Sequence, residues 1–281
     1  MKENGVFAEY KHRYGTTGIK DFCREMPNGL SDYREALQQF GLSLYSKASR
    51  EGSVYFVDKT PPYSLVAREI MELFPQGKFI FLWRDPIAVI SSIISSFSTN
   101  GKWNLYDYKT ELYKGFQNLF DVYEANAGSV CSIRYEDLVT APEATCRKIF
   151  DYLELDFDPN SLHGFSKVKL NGRTGDKTGT KKYDSISTEP LTQWERCLSN
   201  PLRKRWVKRY IRWVGEYRLG MTGYDMKEMI ERIDTAKPGC SNLLSDSGRM
   251  IFGILNSAFE IKMFARKVSS IKSFNMLHYH S

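Results

Sequence analysis

Three short apolar runs, each followed by a turn and a helical stretch, constrain the fold of this chain more than any other feature. The runs are Ser53–Val57, Lys78–Trp83 and Ser129–Arg134. In the stretch behind each run, apolar residues recur at intervals of three and four, which is the period of a helix with one buried face. Strand-like runs that alternate with such helices predict a parallel sheet buried between helices. The expected architecture is therefore a doubly wound α/β domain.

Composition and cysteine usage exclude several classes of protein. The 281 residues are 42% hydrophobic and 26% charged, and 40 Lys and Arg against 33 Asp and Glu leave a net charge of +7. That surplus suits an anionic partner but is too small for a disordered tail protein. The five cysteines are scattered without a Cys-x-x-Cys pair, which excludes the disulfide framework of a small secreted domain. Outside the tail, the histidines lack zinc-ligand spacing, so we expect no metal.

The character of the chain changes after the third helical stretch. Residues 164–190 are rich in Gly, Lys, Thr and Ser, which predicts a long loop, and loops of that length are usually functional or disordered. Helices are expected around Leu191–Leu198 and Leu202–Tyr217. We divide the chain into an α/β domain at residues 1–240 and an amphipathic, basic helical tail at residues 241–281.

Within this tail, residues 247–268 combine an apolar helical face with several cations. The sequence favours a helix packed on its own domain, with contact to a membrane surface or a partner as the alternative. Residues 1–10 are too polar for a signal peptide, and no apolar run approaches the roughly 20 residues that span a bilayer. We expect a cytoplasmic protein, or one that is peripheral to a membrane.

Lys59 and Arg84 each follow closely after an apolar run. Ligands of doubly wound sheets bind outside the carboxyl ends of the strands, so both side chains should emerge at the binding edge. Asp85 can cap the next helix and Pro86 suits its first turn, which leaves a helix N-terminus beside Arg84. A guanidinium there can bind a phosphate through two hydrogen bonds, and a serine two helical turns further along can donate another. The alternative is a surface salt bridge between Arg84 and Asp85, and the residues alone leave both open.

Several motifs follow one another in a fixed order. Asp58-Lys59-Thr60-Pro61 precedes a Phe-Pro-x-x-Lys-Phe-Ile-Phe strand, Arg84-Asp85-Pro86 with a serine eight residues after the arginine, and Arg134-Tyr135-Glu136-Asp137-Leu138. In this order they resemble the sulfotransferase family, in its bacterial and Golgi-type branch, which includes tyrosylprotein and glycan sulfotransferases. The resemblance runs from about Gly52 to Tyr224. It implies a P-loop-NTPase-like parallel sheet flanked by helices, with a helical C-terminal extension.

The resemblance also implies an activity, the transfer of a sulfuryl group from 3′-phosphoadenosine 5′-phosphosulfate (PAPS) to a hydroxyl of a glycan, a lipid-linked saccharide or a protein. Lys59 matches the catalytic lysine near the sulfuryl group, where its charge could stabilise the transition state. The implied cofactor-binding residues are Arg84, Ser92, Tyr135, Arg173 and Gly175. Arg84 and Ser92 match the pair that binds the 3′-phosphate, and Tyr135 matches an aromatic residue beside the adenine. No metal is implied.

The amino end departs from the family pattern. The strand and phosphate loop that bind the 5′-phosphosulfate have no counterpart ahead of Lys59, since Gly15-Thr16-Thr17-Gly18 follows no apolar strand. We therefore expect the natural reading frame to continue upstream of Met1 with that strand and loop. A catalytically impaired, sulfotransferase-like nucleotide-binding module is the alternative function.

A cluster of cations on one predicted helix raises a third possibility, a nucleic-acid binder. Its members are Arg203, Lys204, Arg205, Lys208 and Arg209. Because tryptophans are interleaved with these charges on the helix, a solvated helix face is favoured. We expect no nucleic-acid partner.

Overall fold

A computed structural model describes residues 12–163, 186–259 and 261. The chain divides into two compact units, residues 1–81 with 109–131 and residues 82–108 with 132–281. In the described chain the α-helices are α1 (His12–Arg24), α2 (Leu30–Ala48), α3 (Ala67–Leu73), α4 (Pro86–Ser96), α5 (Phe116–Asn126), α6 (Tyr135–Thr140), α7 (Pro142–Leu153), α8 (Trp194–Cys197), α9 (Pro201–Val214), α10 (Glu216–Met221), α11 (Met226–Thr235) and α12 (Leu243–Phe259). Short 3₁₀ turns and one π-helical turn, Thr110–Gly115, connect some of them.

Two strands form the sheet of the described chain, β1 (Ile80–Trp83) and β2 (Cys131–Arg134), which pair in parallel. The Cys131 N–H donates to the carbonyl of Phe79 at 3.1 Å where the pairing begins. Alternate residues of each strand are buried, as a pleated strand requires when one face is covered. The apolar runs at Lys78–Trp83 and Ser129–Arg134 thus become strands, which confirms two of the three predicted ones.

The strand predicted at Ser53–Val57 is wrong. The segment takes no strand conformation, and Val54 and Val57 are 74% and 82% exposed. A strand needs a neighbouring strand for its backbone groups, and the sheet of the described chain contains β1 and β2 but not this segment. Side chains hold it instead, since the ring of Phe56 stacks on Tyr45 of α2 with centroids 4.7 Å apart.

Each unit has its own apolar core. In the first unit, Phe81 packs against Tyr123 of α5 with ring centroids 5.5 Å apart. In the second unit, α4 and α9 are buried most deeply. Their fully buried large side chains are Ile87, Ile90, Ile94, Val207, Ile211 and Val214. Burial of large aliphatic side chains supplies most of the stabilisation of such units. In this unit it holds α4 in place, and α4 begins two residues after Arg84.

Both C-terminal helices that the sequence predicts are present, α9 at Pro201–Val214 and α12 at Leu243–Phe259, which begins before the predicted start at Ser247. The predicted end of α12, Val268, lies outside the described residues. Asn200 caps α9 by accepting from the Leu202 N–H at 2.9 Å. Among the helices that the structure describes, none is long and apolar enough to cross a membrane.

Candidate active site

The candidate site is built where β1 and β2 end. Arg84 directly follows β1, Tyr135 directly follows β2, and both side chains are half-buried. The guanidinium carbon of Arg84 lies 4.4 Å from the centroid of the Tyr135 ring, in cation–π contact. The structure thus brings together two of the residues that the family resemblance implied, because neighbouring parallel strands deliver their following residues to the same edge.

Part of the Arg84 side chain lacks a partner. One terminal nitrogen, Nη2, reaches the carbonyl of Pro190 at 3.4 Å, whereas Nε is buried and unpaired among the described residues. The hydroxyl of Ser91, in α4, is buried and unpaired in the same sense. Buried polar groups are nearly always hydrogen-bonded, and these two donors, both close in sequence to the N-terminus of α4, are exceptions among the described residues. Ser92, predicted from the sequence, is half-buried beside Ser91.

Asp85 holds the start of α4 and does not pair with Arg84 in the structure. Its Oδ1 accepts from the Ile87 N–H at 2.7 Å, which confirms the predicted helix cap, and Pro86 occupies the first turn. Its Oδ2 lies 2.9 Å from Nη1 of Arg232 in α11. Burial raises the pKa of Asp85, while the positive charge of Arg232 opposes that rise. The expected alternative, a salt bridge from Arg84 to Asp85, is replaced by this pair.

Glu136 ties the two strand ends to each other. Its Oε1 accepts from the backbone N–H of Asp85 at 2.9 Å, and its Oε2 accepts from the hydroxyl of Tyr224 at 2.6 Å. Burial, together with the Glu136 carboxylate, raises the pKa of Tyr224 above its ordinary value, so the phenol stays a donor. Because Asp85 follows Arg84 and Glu136 follows Tyr135, one carboxylate sets the distance between the residues that form the cation–π pair.

A cavity of about 220 Å³ adjoins this network and is lined by polar groups that pair with one another. Arg134, at its rim, donates to both carboxylate oxygens of Asp137, at 2.9 and 2.6 Å, and to the carbonyl of Gly223 at 2.8 Å. These contacts hold β2 and α6 to the turn before α11. The cavity is therefore lined by groups that link the end of β2 to the turn before α11.

We expect Glu136→Ala to lower the free energy of unfolding by about 1.5–3 kcal/mol, because a charged acceptor of two hydrogen bonds is lost. Glu136→Gln keeps one acceptor oxygen for the Asp85 N–H and puts an amide NH2, which can donate to the Tyr224 hydroxyl oxygen, in place of the other, so it should lose less than half as much. Urea unfolding followed by tryptophan fluorescence measures both. Glu143→Ala is the matched control, since Glu143 forms an exposed pair with Arg147 and should change stability by less than about 0.5 kcal/mol. Equal effects at Glu136 and Glu143 would contradict the role of Glu136.

Lys59 belongs to the other compact unit, where its side chain is exposed. The residue before it is fixed, since Asp58 accepts hydrogen bonds from the hydroxyls of Tyr45 and Tyr63, both at 2.7 Å, and of Thr60 at 2.8 Å. Burial opposes ionisation of Asp58, but the hydrogen bonds of Tyr63, Tyr45 and Thr60 outweigh it and lower its pKa. This carboxylate anchors the irregular segment that presents Lys59.

The remaining predicted site residues, Arg173 and Gly175, lie outside the described residues, as does most of the predicted loop at 164–190. Sequence reasoning named Ser91 beside Ser92 but missed Glu136, Tyr224 and Arg232 as parts of the site. Glu136 and Tyr224 lie within the motifs that carried the family resemblance, and their positions in those motifs could have identified them as residues of the site. Nothing local to α11 marked Arg232 as the partner of Asp85.

The basic cluster predicted as a solvated face of α9 is largely engaged in protein contacts. Arg203 is buried and pairs with Asp246, Lys208 pairs with Asp234, and Lys204 donates to the carbonyl of Ala236. Three of the five cations of the cluster are therefore bound to carboxylate or carbonyl oxygens of the protein itself. Within the described residues, no group of three or more His, Cys, Asp or Glu side chains is arranged to hold a metal ion.

Comparison with known proteins agrees with the family that the motifs resemble. A model of the sulfotransferase family matches residues 11–159, so the match begins well before Gly52. A putative protein-tyrosine sulfotransferase of Caenorhabditis briggsae is 30% identical over 155 residues, which are 52% of this chain and 55% of the relative. A protein-tyrosine sulfotransferase of Drosophila melanogaster is 27% identical over 57% of this chain and 33% of its own length.

A relative with a different acceptor in its name is the omega-hydroxy-beta-dihydromenaquinone-9 sulfotransferase of Mycobacterium bovis, 25% identical over 49% of this chain and 38% of its own length. The family model covers more than half of the chain, and the chain belongs to the sulfotransferase family, a family of transferases. It spans about half the length, or less, of these three relatives.

Proposed function

We propose that this protein transfers a sulfuryl group from PAPS to a hydroxyl group of a glycan, a lipid-linked saccharide or a protein. The observation that carries the proposal is the pairing of Arg84 with Tyr135 at the strand ends, with Nε of Arg84 buried and unpaired in the described residues. A guanidinium with a free donor and an adjacent aromatic ring suits an adenosine nucleotide that carries a phosphate. The proposal includes the P-loop-like sheet that the family resemblance implied.

The residues present fit such a nucleotide. Arg84 would bind the 3′-phosphate with its free Nε–H, assisted by the hydroxyls of Ser91 and Ser92 and by the N-terminus of α4. Tyr135 would pack beside the adenine, where stacking contributes roughly 1–3 kcal/mol. The hydrogen bond of 2.9 Å between the Asp85 N–H and Glu136 would hold Arg84 and Tyr135 at a fixed distance from each other. Positioning of this kind supplies most of the rate in related phosphoryl transfers.

When bound, PAPS would supply the sulfuryl group to the acceptor oxygen, with adenosine 3′,5′-bisphosphate as the leaving group and the hydroxyl proton passing to water. Lys59 would stabilise the negative charge that develops on the bridging oxygen, which is an electrostatic contribution made mainly in the transition state. The names of the relatives, protein-tyrosine and omega-hydroxy-dihydromenaquinone sulfotransferases, both denote hydroxyl acceptors and support that acceptor chemistry here.

We expect Arg84→Ala to weaken the binding of adenosine 3′,5′-bisphosphate by about 1.5–3 kcal/mol, or roughly ten- to a hundredfold in Kd, because a charge-assisted hydrogen bond is lost. Arg84→Lys should recover only part of the affinity, since it lacks the planar fork of donors. Isothermal titration calorimetry measures both.

Adenosine 5′-monophosphate, which lacks the 3′-phosphate, should bind equally well to all three proteins. Arg212→Ala removes an exposed arginine of α9 and is the matched control, with no expected effect on either nucleotide. Equal losses for the two nucleotides would show that Arg84 does not bind the 3′-phosphate. Nucleotide binding without sulfate transfer to any hydroxyl acceptor would favour the alternative, a nucleotide-binding module.

A further inference from the structure

The start of α4 places two carboxylates beside the cation that would bind the 3′-phosphate. Asp85, which caps the helix, is 4% exposed, and Glu136 accepts from its backbone N–H at 2.9 Å. Arg84 directly precedes Asp85 in the chain. A guanidinium beside two carboxylates attracts an anionic ligand only weakly, because the nearby negative charges offset its own. A second cation at this helix start would restore the attraction.

Arg232 of α11 is such a cation. Its Nη1 lies 2.9 Å from Oδ2 of Asp85, while Oδ1 of Asp85 accepts from the Ile87 N–H at 2.7 Å. The capping carboxylate thus contacts the helix with one oxygen and the arginine with the other. The guanidinium carbon of Arg232 also lies 5.0 Å from the ring centroid of Trp194, whose side chain is buried. These two contacts hold the guanidinium beside Asp85.

We propose that Arg232 is a positioning residue of the nucleotide site, which neutralises Asp85 so that the start of α4 attracts the 3′-phosphate. The inference rests on the proposed function, because the ligand concerned is the nucleotide of that site. With Arg232 present, Arg84 and Arg232 balance the two carboxylates. Without it the carboxylates outnumber the cations, and an incoming phosphate would meet a like charge.

The surroundings of Asp85 give this role a dependence on pH. Burial raises the pKa of Asp85, the charge of Arg232 opposes that rise, and the Glu136 carboxylate adds to it. Loss of the Arg232 charge should therefore raise the pKa of Asp85 further. Below that raised pKa the Asp85 carboxyl is neutral, and its repulsion of the phosphate disappears.

Other ionisable groups face the same place from the adjoining cavity. They are Arg134 at the end of β2, Tyr224 and Asp225 before α11, and Glu228 in α11. Their titration, and that of the ligand, are common to the wild type and to an Arg232 variant. The ratio of the two Kd values at each pH therefore reports mainly on Asp85.

The experiment is calorimetric titration of the full 281-residue chain with adenosine 3′,5′-bisphosphate at several pH values. Arg232→Gln keeps a hydrogen-bond donor for Asp85 but removes the charge. We expect it to weaken binding about tenfold near pH 8, and the loss should shrink as the pH falls towards about 5.5. Arg232→Lys keeps the charge and should lose less than about threefold.

Asp85→Asn provides a second test, which does not depend on the stability of Arg232→Gln. Asparagine can still cap a helix, and it leaves the charge of Arg232 without its carboxylate. Asp85→Asn should therefore bind the bisphosphate about threefold or more tightly than the wild type. The double variant Asp85→Asn with Arg232→Gln should return to within about twofold of the wild type, because both charges of the pair are absent.

Lys227→Gln is the matched control, because it removes an exposed cation from the same helix, and it should change the Kd by less than about twofold. Adenosine 5′-monophosphate should bind the wild type and Arg232→Gln equally well. A loss in Arg232→Gln that is absent or independent of pH, or weaker binding by Asp85→Asn, would overturn this inference and leave the proposed function standing. Failure of the wild type to bind the bisphosphate would overturn both.

Discussion

Arg203→Ala is expected to lower the free energy of unfolding of its unit by about 3–5 kcal/mol, the cost of removing one partner of a buried ion pair. Arg203 donates to both carboxylate oxygens of Asp246, at 2.6 and 3.2 Å, and to the carbonyl of Gly101 at 2.6 Å. Both side chains of the pair are almost completely inaccessible to solvent. The substitution would leave the Asp246 carboxylate in the interior without its counter-ion. Thermal unfolding followed by circular dichroism measures the loss.

Arg205→Ala is the control for this prediction, because Arg205 lies on the same helix and is exposed. It should change stability by less than about 0.5 kcal/mol. Arg203→Ala combined with Asp246→Ala should cost less than the sum of the two single changes, because the second substitution removes the charge that the first one strands. Strict additivity, or a loss at Arg203 no larger than that at Arg205, would contradict a buried, coupled pair.

Lys59→Ala is expected to lower kcat by about 10²–10³-fold, as removal of one transition-state donor usually does. The Kd for adenosine 3′,5′-bisphosphate should change by less than about twofold, since the interaction strengthens only as charge develops. Turnover is measured as transfer of labelled sulfate from PAPS to a hydroxyl acceptor, and binding by calorimetry. Lys47→Ala, on the exposed surface of α2, should alter neither quantity.

Asp58→Asn tests how much the position of Lys59, as opposed to its charge, contributes to kcat. Asp58 is held by three hydroxyl donors, and an asparagine keeps the shape of the side chain but weakens these hydrogen bonds. We expect a fall in kcat that is smaller than for Lys59→Ala, again with nucleotide affinity unchanged.

Equal losses of kcat and of nucleotide affinity in Lys59→Ala would contradict the role of Lys59 in the transition state and would instead make it a general phosphate anchor.

Much of the site was predictable because it depends on local sequence. The runs at Lys78–Trp83 and Ser129–Arg134 are apolar and short, and they pair with each other as β1 and β2. Asp85 and Pro86 are typical residues of a helix start, and they take these roles in α4. Hydrogen bonds that close within a few residues depend little on the rest of the chain, so their residue types are informative by themselves.

The sequence by itself thus determined the two strands, the start of α4 and the motifs that place the chain among the sulfotransferases. Only the tertiary structure decided that Asp85 pairs with Arg232, that Arg203 is buried against Asp246, and that the apolar face of α12 points outwards. It also left Ser53–Val57 without a strand. The physical reason is common to all four. Residues distant in the chain determine the partner of an ion pair, the neighbour of a strand and the buried side of a helix. A local pattern of residue types does not specify which distant residues will be near.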